Sequence, residues 1–283
     1  MAFPFAYLKV HTAQGEPFQN LMAQPVTSTE VLSQNPDDIK TKMELMILRV
    51  QAEFCRALEQ EEGGRKFVVD SWKRKEGGGG VTCVLQDGDV FEKAGVNISV
   101  VSGHLAPGSV TMMRARGKKM KSEKPVFFAA GISSVIHPRN PFVPTMHFNY
   151  RYFEVQDGDD VLWWFGGGTD LTPYYLDESD AACFHKTLKK TCDKYDKHYY
   201  PKFKKWCDDY FTIAHRGERR GVGGIFFDDL DSPNREKLFQ FVTGCADSVI
   251  PAYIPIGTIY FKCLILHLTS FIDVLSLFFS FNR

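Results

Sequence analysis

His147, Asn149 and Arg151 sit two residues apart in TMHFNYRYFEV, with Phe148, Tyr150 and Tyr152 filling the gaps. In an extended strand this spacing places imidazole, amide and guanidinium on one face and three aromatic rings on the other. A guanidinium grips carboxylates through a charge-assisted fork, and an imidazole on the same face can move a proton near neutral pH. The row reads as a surface that holds a carboxylate beside an acid–base group, or as the solvated second face of a half-buried strand. Asp170 follows the glycine run in WWFGGGTDL. Glycines there allow backbone to approach something bulky, with Asp170 either a site carboxylate or a turn residue.

Other chemistries find less support. The runs 77–80 and 166–168 lack both G-x-G-x-x-G spacing and a following Lys-Ser/Thr, so phosphate binding is not expected. His137, His185 and His215 lie far apart with no short-range metal signature, and structural histidines are expected there. There is no Gly-x-Ser-x-Gly elbow. Seven cysteines without a C-x-x-C pair point to reduced, mostly buried thiols. Lys+Arg and Asp+Glu balance at 34 each, which gives no field toward nucleic acid or an anionic membrane.

The elements that must position these groups can be read in order. Residues 1–34, with Pro4, Pro17 and Pro25, are expected to be irregular. A helix is expected to open at Asn35-Pro36-Asp37-Asp38, with an N-cap and proline at its first position, and to run to Gly63-Gly64. Its stripe of Ile39, Met43, Met46, Val50, Phe54 and Leu58 is a core face. Strands are expected at 81–86 and 89–94, joined by a type I′ turn at Asp87-Gly88, then at 97–103, 126–137, 144–155 and 161–166 as an antiparallel meander. The basic stretch 114–124 is expected to be a solvated loop. Beyond residue 175 come a helix capped by Ser179, one opened by Pro201, an apolar strand at 221–230 and a helix capped by Ser232-Pro233. Strands first and helices later, without βαβ alternation, define an α+β chain of one or at most two domains.

Four long motifs carry a family resemblance: WKRKEGGGGVTCVLQDGDVFEKAGVNISVV, GISSVIHPRNPFVPTMHFNYRYFEV, WWFGGGTDLTPYYL and YPKFKKWCDDYFTIAHRGERRGVGGIFFDDLDSP. They resemble oxygen-dependent coproporphyrinogen oxidases, in wording nearer to animal than to bacterial members. The resemblance implies a single domain over residues 35–256, an α+β fold on a large, flat antiparallel sheet covered by helices on both faces. It implies a homodimer that uses VLQDGDVFEK (84–93) at its contact. The implied reaction is oxidative decarboxylation of two propionates of coproporphyrinogen III, giving protoporphyrinogen IX in haem biosynthesis. O2 is the co-substrate, and neither an organic cofactor nor a metal is assigned. His147 matches the proton donor and Asp170 the acid that engages pyrrole N–H groups; Ser133, Asn149 and Arg151 match substrate-binding positions. His137, His185 and His215 match positions proposed as metal ligands in bacterial relatives. Animal members imply the mitochondrial intermembrane space, although MAFPFAYLKVH does not read as a transit peptide and cytoplasm is the alternative.

Past PAYIPI (251–256) the resemblance ends. Residues 257–283 carry only Lys262, Asp273 and Arg283 as charges, where the family pattern has further helix, a strand and a glycine-arginine loop. An atypical apolar tail is expected rather than a membrane span, because His267 and Asp273 interrupt it and no basic cluster flanks it. A domain incomplete at that end is expected to leave a sheet edge unpaired, with poor solubility, weak dimerisation and low activity. A non-catalytic tetrapyrrole-binding isoform is the alternative to an oxidase, and a three-histidine metal oxidase is a further one.

Overall fold

The computed structural model describes residues 18–257, so the expectations for most of the N-terminal stretch and for the tail after Gly257 lie outside the described residues. Strands β1 (Val68–Lys73), β2 (Gly78–Gln86), β3 (Phe91–His104), β4 (Val126–Pro138), β5 (Thr145–Asp157) and β6 (Asp160–Thr172) follow one another as an antiparallel meander. A small ribbon of β7 (Thr212–Ile213) and β8 (Glu218–Arg219) then precedes β9 (Gly223–Leu230), which joins the sheet antiparallel to β6. The α+β expectation holds, on a sheet of seven strands.

Several boundaries differ from the sequence reading, each for a local reason. The strands expected at 89–94 and 97–103 are one strand, β3, paired without interruption to β2. The turn before it spans residues 87–90 rather than two, with Asp87 at φ 55°. Its backbone is claimed by a buried carboxylate: Glu62 accepts from the N–H groups of Asp89 (2.5 Å), Val90 (3.0 Å) and Phe91 (2.9 Å). A short helix, α1 (Thr29–Gln34), occupies the end of the stretch expected to be irregular, and Asn35 is its C-cap. The next helix, α2 (Ile39–Glu62), therefore starts later than read, capped by Asp38, whose side chain accepts from Lys40 N–H at 3.0 Å. Asp177, not Ser179, caps α4 (Glu178–Cys192), and Asn234, not Ser232, caps α6 (Arg235–Asp247). In both cases the acceptor lies at the residue where the backbone turns helical, which is where an N-cap works. Helix α5 (Tyr199–Tyr210) begins two residues before Pro201, which sits within its first turn.

The edge strand β1 went unread because its residues are largely exposed and lack an apolar alternation. β6 runs beyond Gly166, through all three glycines, to Thr172. What approaches those glycines is the protein itself: a Cβ on Gly167 would meet the Tyr150 ring at 2.5 Å, and one on Gly166 would meet the Arg151 guanidinium carbon at 2.8 Å.

Helices α2, α4, α5 and α6 pack on one face, and the helical residues 249–257 join the same core. α2 lies across β3 and β4, α6 contacts β6, α2 and α4, and α5 runs along the edge strand β9. Their side chains enclose Met146, Phe148, Tyr150 and Tyr152 in a single apolar core. Among the described residues the opposite face carries one helix, α3 (Pro107–Ala115), at one end, over a smaller cluster of Val110, Met120, Val155 and Trp164. The basic segment after α3 is pinned rather than free: Asp157 accepts from Lys121 and Ser122 N–H, Lys121 pairs with Asp160, and Arg116 and Lys118 reach Asp229. The segment is largely exposed, as expected of a solvated stretch, and these carboxylates fix its course over the surface.

Glu62→Ala should strand three backbone donors under the β2–β3 turn and lower unfolding free energy by about 2–4 kcal/mol. A urea melt of the variant checks this; Glu62→Gln, which keeps one acceptor, should fall between.

Candidate active site

The pleat of β5 does what its alternation predicted. Phe148, Tyr150 and Tyr152 are fully buried, while His147, Asn149 and Arg151 are half-buried on the other face. Register then assembles neighbours around them. Ser133 on β4 stands beside Asn149, which stands beside Gly168 on β6; His147 is flanked by Val135 and Asp170; Arg151 lies between Gly131 and Gly166. All five residues singled out as catalytic or substrate-binding thus share one region of one sheet face, with Ser133 exposed.

Asp170 is the charged centre. It is only 2% exposed, yet its Oδ1 lies 2.7 Å from His147 Nδ1 and its Oδ2 accepts from Arg220 Nη2 at 2.6 Å. A carboxylate flanked by a guanidinium accepts, so the imidazole donates through Nδ1 and keeps Nε2 for exchange. The Arg220 guanidinium carbon stacks 3.7 Å from the centroid of the Phe211 ring, which meets the His147 ring edge-on at 6.3 Å. Val222 N–H donates to Leu171 carbonyl and Gly224 pairs with Asp170, and this register delivers Arg220 to the carboxylate. A cavity of about 360 Å³ opens here, lined by His137, Thr145, His147, Asp170, Tyr174 and Arg220 among others. Behind it, burial first and the charge of Asp170 second push the Cys207 thiol up to about 12, so that thiol is inert.

At the other end of the row, Arg151 is already engaged. Its Nη1 donates to Asn149 Oδ1 at 2.5 Å and its Nη2 pairs with Asp228 Oδ1 at 3.1 Å. Sequence reading missed both Arg220 and Asp228. The alternation of GGIFFDDL offered a signal for Asp228, which shares a face with Phe226 opposite the buried Phe227; nothing in one sequence gives the cross-strand register that places Arg220.

The three histidines matching proposed metal positions are not gathered. His137 lines the cavity, with Nδ1 3.4 Å from Thr145 Oγ1. His185 lies on α4, with Nε2 2.9 Å from Val222 carbonyl and Nδ1 3.0 Å from Tyr200 hydroxyl. His215 lies in the 3-10 turn between β7 and β8. Among the described residues no group of three His, Cys, Asp or Glu side chains is arranged to hold a metal ion. The described cysteines are free and, apart from Cys183, buried; Cys263 lies outside the described residues.

The antiparallel α+β sheet thus sets a buried carboxylate, clamped between imidazole and guanidinium, beside an arginine paired with a second carboxylate. The family model for coproporphyrinogen III oxidase matches residues 42–259, and the chain belongs to that family. It is 63% identical to the oxygen-dependent coproporphyrinogen-III oxidase of Drosophila melanogaster over 83% of this chain and 61% of that protein. Against the mitochondrial enzyme of Rattus norvegicus the identity is 64% over 83% of this chain and 54% of the relative. Against the chloroplastic coproporphyrinogen-III oxidase 1 of Arabidopsis thaliana it is 54% over 79% of this chain and 59% of the relative. The chain spans a little over half the length of these relatives.

His185 gives this region a pH signature. Burial is the main cause that holds its imidazole below the ordinary histidine range. Unfolding releases that restraint, so the unfolded chain takes up a proton as pH falls below about 6.5 while the fold resists. The contribution is whole above that pH and is lost as pH falls toward the lowered folded value. Urea midpoints should therefore drop from pH 7.5 to 5.5, and His185→Asn should show a smaller drop.

Proposed function

We propose that this chain carries the site for oxygen-dependent oxidative decarboxylation of coproporphyrinogen III, converting two propionates to vinyl groups and giving protoporphyrinogen IX. The observation that carries this reading is the single face on which Arg151, Asn149 and Ser133 adjoin the His147–Asp170–Arg220 cluster. Arg151 and Asn149 fix a propionate, with Ser133 beside them as a further hydrogen-bond donor. Asp170 can accept pyrrole N–H groups through lone pairs left over from His147 and Arg220, since each carboxylate oxygen accepts more than one bond. His147 moves the proton of the reduced oxygen species through Nε2. A porphyrinogen is electron-rich and can itself supply electrons to O2, so the protein's part is to hold, orient and polarise it. Partial burial disfavours a propionate as a carboxylate and favours its loss as neutral CO2. The reading uses O2 as acceptor and no organic cofactor or metal.

The same reading assigns a homodimer contact to residues 84–93, where the turn held by Glu62 presents Gln86, Asp87, Asp89, Glu92 and Lys93 to solvent. It assigns a mitochondrial location, supported by relatives such as that of Rattus norvegicus, and the intermembrane space within it. Among the described residues no helix is long and apolar enough to cross a membrane.

Aerobic incubation with coproporphyrinogen III, followed by product mass analysis and O2 uptake, tests the reaction. A chain that binds the porphyrinogen without consuming O2 would be a carrier instead. Arg151→Ala should weaken both binding and turnover without unfolding the sheet; unchanged kinetics would leave Arg151 to solvent. Asp170→Asn should depress kcat by roughly 100-fold or more with a smaller effect on KM, the split expected of a group whose charge matters as the transition state forms.

A further inference from the structure

We propose that Asp228 is an internal stand-in for the substrate carboxylate, occupying Arg151 and passing to Arg116 when a carboxylate arm of the substrate arrives. The proposal rests on the reading of Arg151 as a carboxylate holder. Both terminal nitrogens of that guanidinium are engaged: Asn149 takes Nη1 at 2.5 Å and Asp228 Oδ1 takes Nη2 at 3.1 Å. The pair lies flat on Gly166, where a Cβ would stand 2.6 Å from Asp228 Oδ1 and 2.8 Å from Arg151 Nε. The slot is therefore shaped for one guanidinium and one carboxylate, and its present carboxylate is the protein's own.

A second seat waits on the other side of Asp228. Arg116 Nη2 is 3.6 Å from its Oδ2, just beyond a close ion pair, while holding Asp229 at 2.5 Å. A small rotation of the Asp228 side chain transfers it from Arg151 to Arg116 without leaving either carboxylate uncompensated. The exchange has a selective consequence. A tethered carboxylate competes at high effective concentration, so a small free anion cannot displace it. A carboxylate on a scaffold that also gains contacts to Asp170 and the rest of the face can. Asp228 thus screens Arg151 against simple anions and yields to a polycarboxylate macrocycle.

The test measures dissociation constants of coproporphyrin III, a non-reacting tetracarboxylate porphyrin, by fluorescence titration of the 283-residue chain. Asp228→Asn keeps the shape and the acceptor for Asp229 N–H, and should tighten binding by about two- to fivefold, the scale of a partly exposed ion pair removed from competition. Arg116→Ala, at a half-exposed position, should weaken binding in the wild-type background and have no effect on top of Asp228→Asn. Equal or weaker binding by Asp228→Asn, or an Arg116→Ala loss that persists in the double variant, overturns the exchange. Arg151→Ala separates this from failure of the underlying reading: if it leaves affinity unchanged in both backgrounds, Arg151 does not hold the carboxylate at all.

Discussion

The pleat of β5 is the constraint from which the site follows. Three large rings, Phe148, Tyr150 and Tyr152, are fully buried on alternate positions, and each contributes about 1.5–3 kcal/mol of burial. They mesh with rings from other elements: Phe54 of α2 meets Phe148 edge-on at 5.3 Å, and Phe165 of β6 meets Tyr152 at 5.0 Å. Slipping the strand by one residue would exchange those rings for an imidazole, an amide and a guanidinium, so the register is fixed by the core. The open face inherits its order from that choice, and the spacing of His147, Asn149 and Arg151 is set by the buried face before any contact on their own side adds to it.

Charge then closes what packing leaves open. Asp170 is a buried carboxylate, which is costly unless it is paired and hydrogen-bonded on both oxygens. His147 from β5 and Arg220 from the segment before β9 supply those partners. The same bonds tie the end of the β7–β8 ribbon to β5 and β6, so the element that completes the site is held in place by it. Phe211 adds an apolar wall to Arg220 and His147, which limits water around the cluster and strengthens its electrostatics.

How much of this was legible depended on the range of the interaction. Period-two alternation in HFNYRYF gave the strand, its buried face and its polar row, because that information is local. The long meander, the core stripe of α2 and the α+β class were readable for the same reason. Caps were misplaced by a few residues wherever Asp, Ser and Asn competed within one turn, as at Asp177 and Asn234. Arg220 was not legible as a site residue, and alternation in GGIFFDDL gave only the face of Asp228: both meet their partners because β9 pairs with β6, and one sequence does not encode that register. The pinning of the exposed basic segment after α3 was hidden in the same way, since its carboxylate partners come from β5, β6 and β9. The motifs, by contrast, were long enough to identify the family, and the comparisons agree.

Two charge systems now bound the open face. At one end Asp170 stands between His147 and Arg220; at the other Asp228 stands between Arg151 and Arg116. Each carboxylate is shared by two cationic or protonatable groups, but their burial differs. Asp170, with a 3% exposed side chain, is enclosed and held by short bonds, which suits a group that must keep its position while charge develops nearby. Asp228, with a 23% exposed side chain, is held at 3.1 and 3.6 Å, which suits a group that can be exchanged. Asn149 links the two by holding Arg151 from the centre of the row. A polycarboxylate lying along this face would meet a fixed carboxylate under its centre and an exchangeable one under its arm. On the proposed reading, that asymmetry would separate a part of the site that polarises the substrate from a part that admits it.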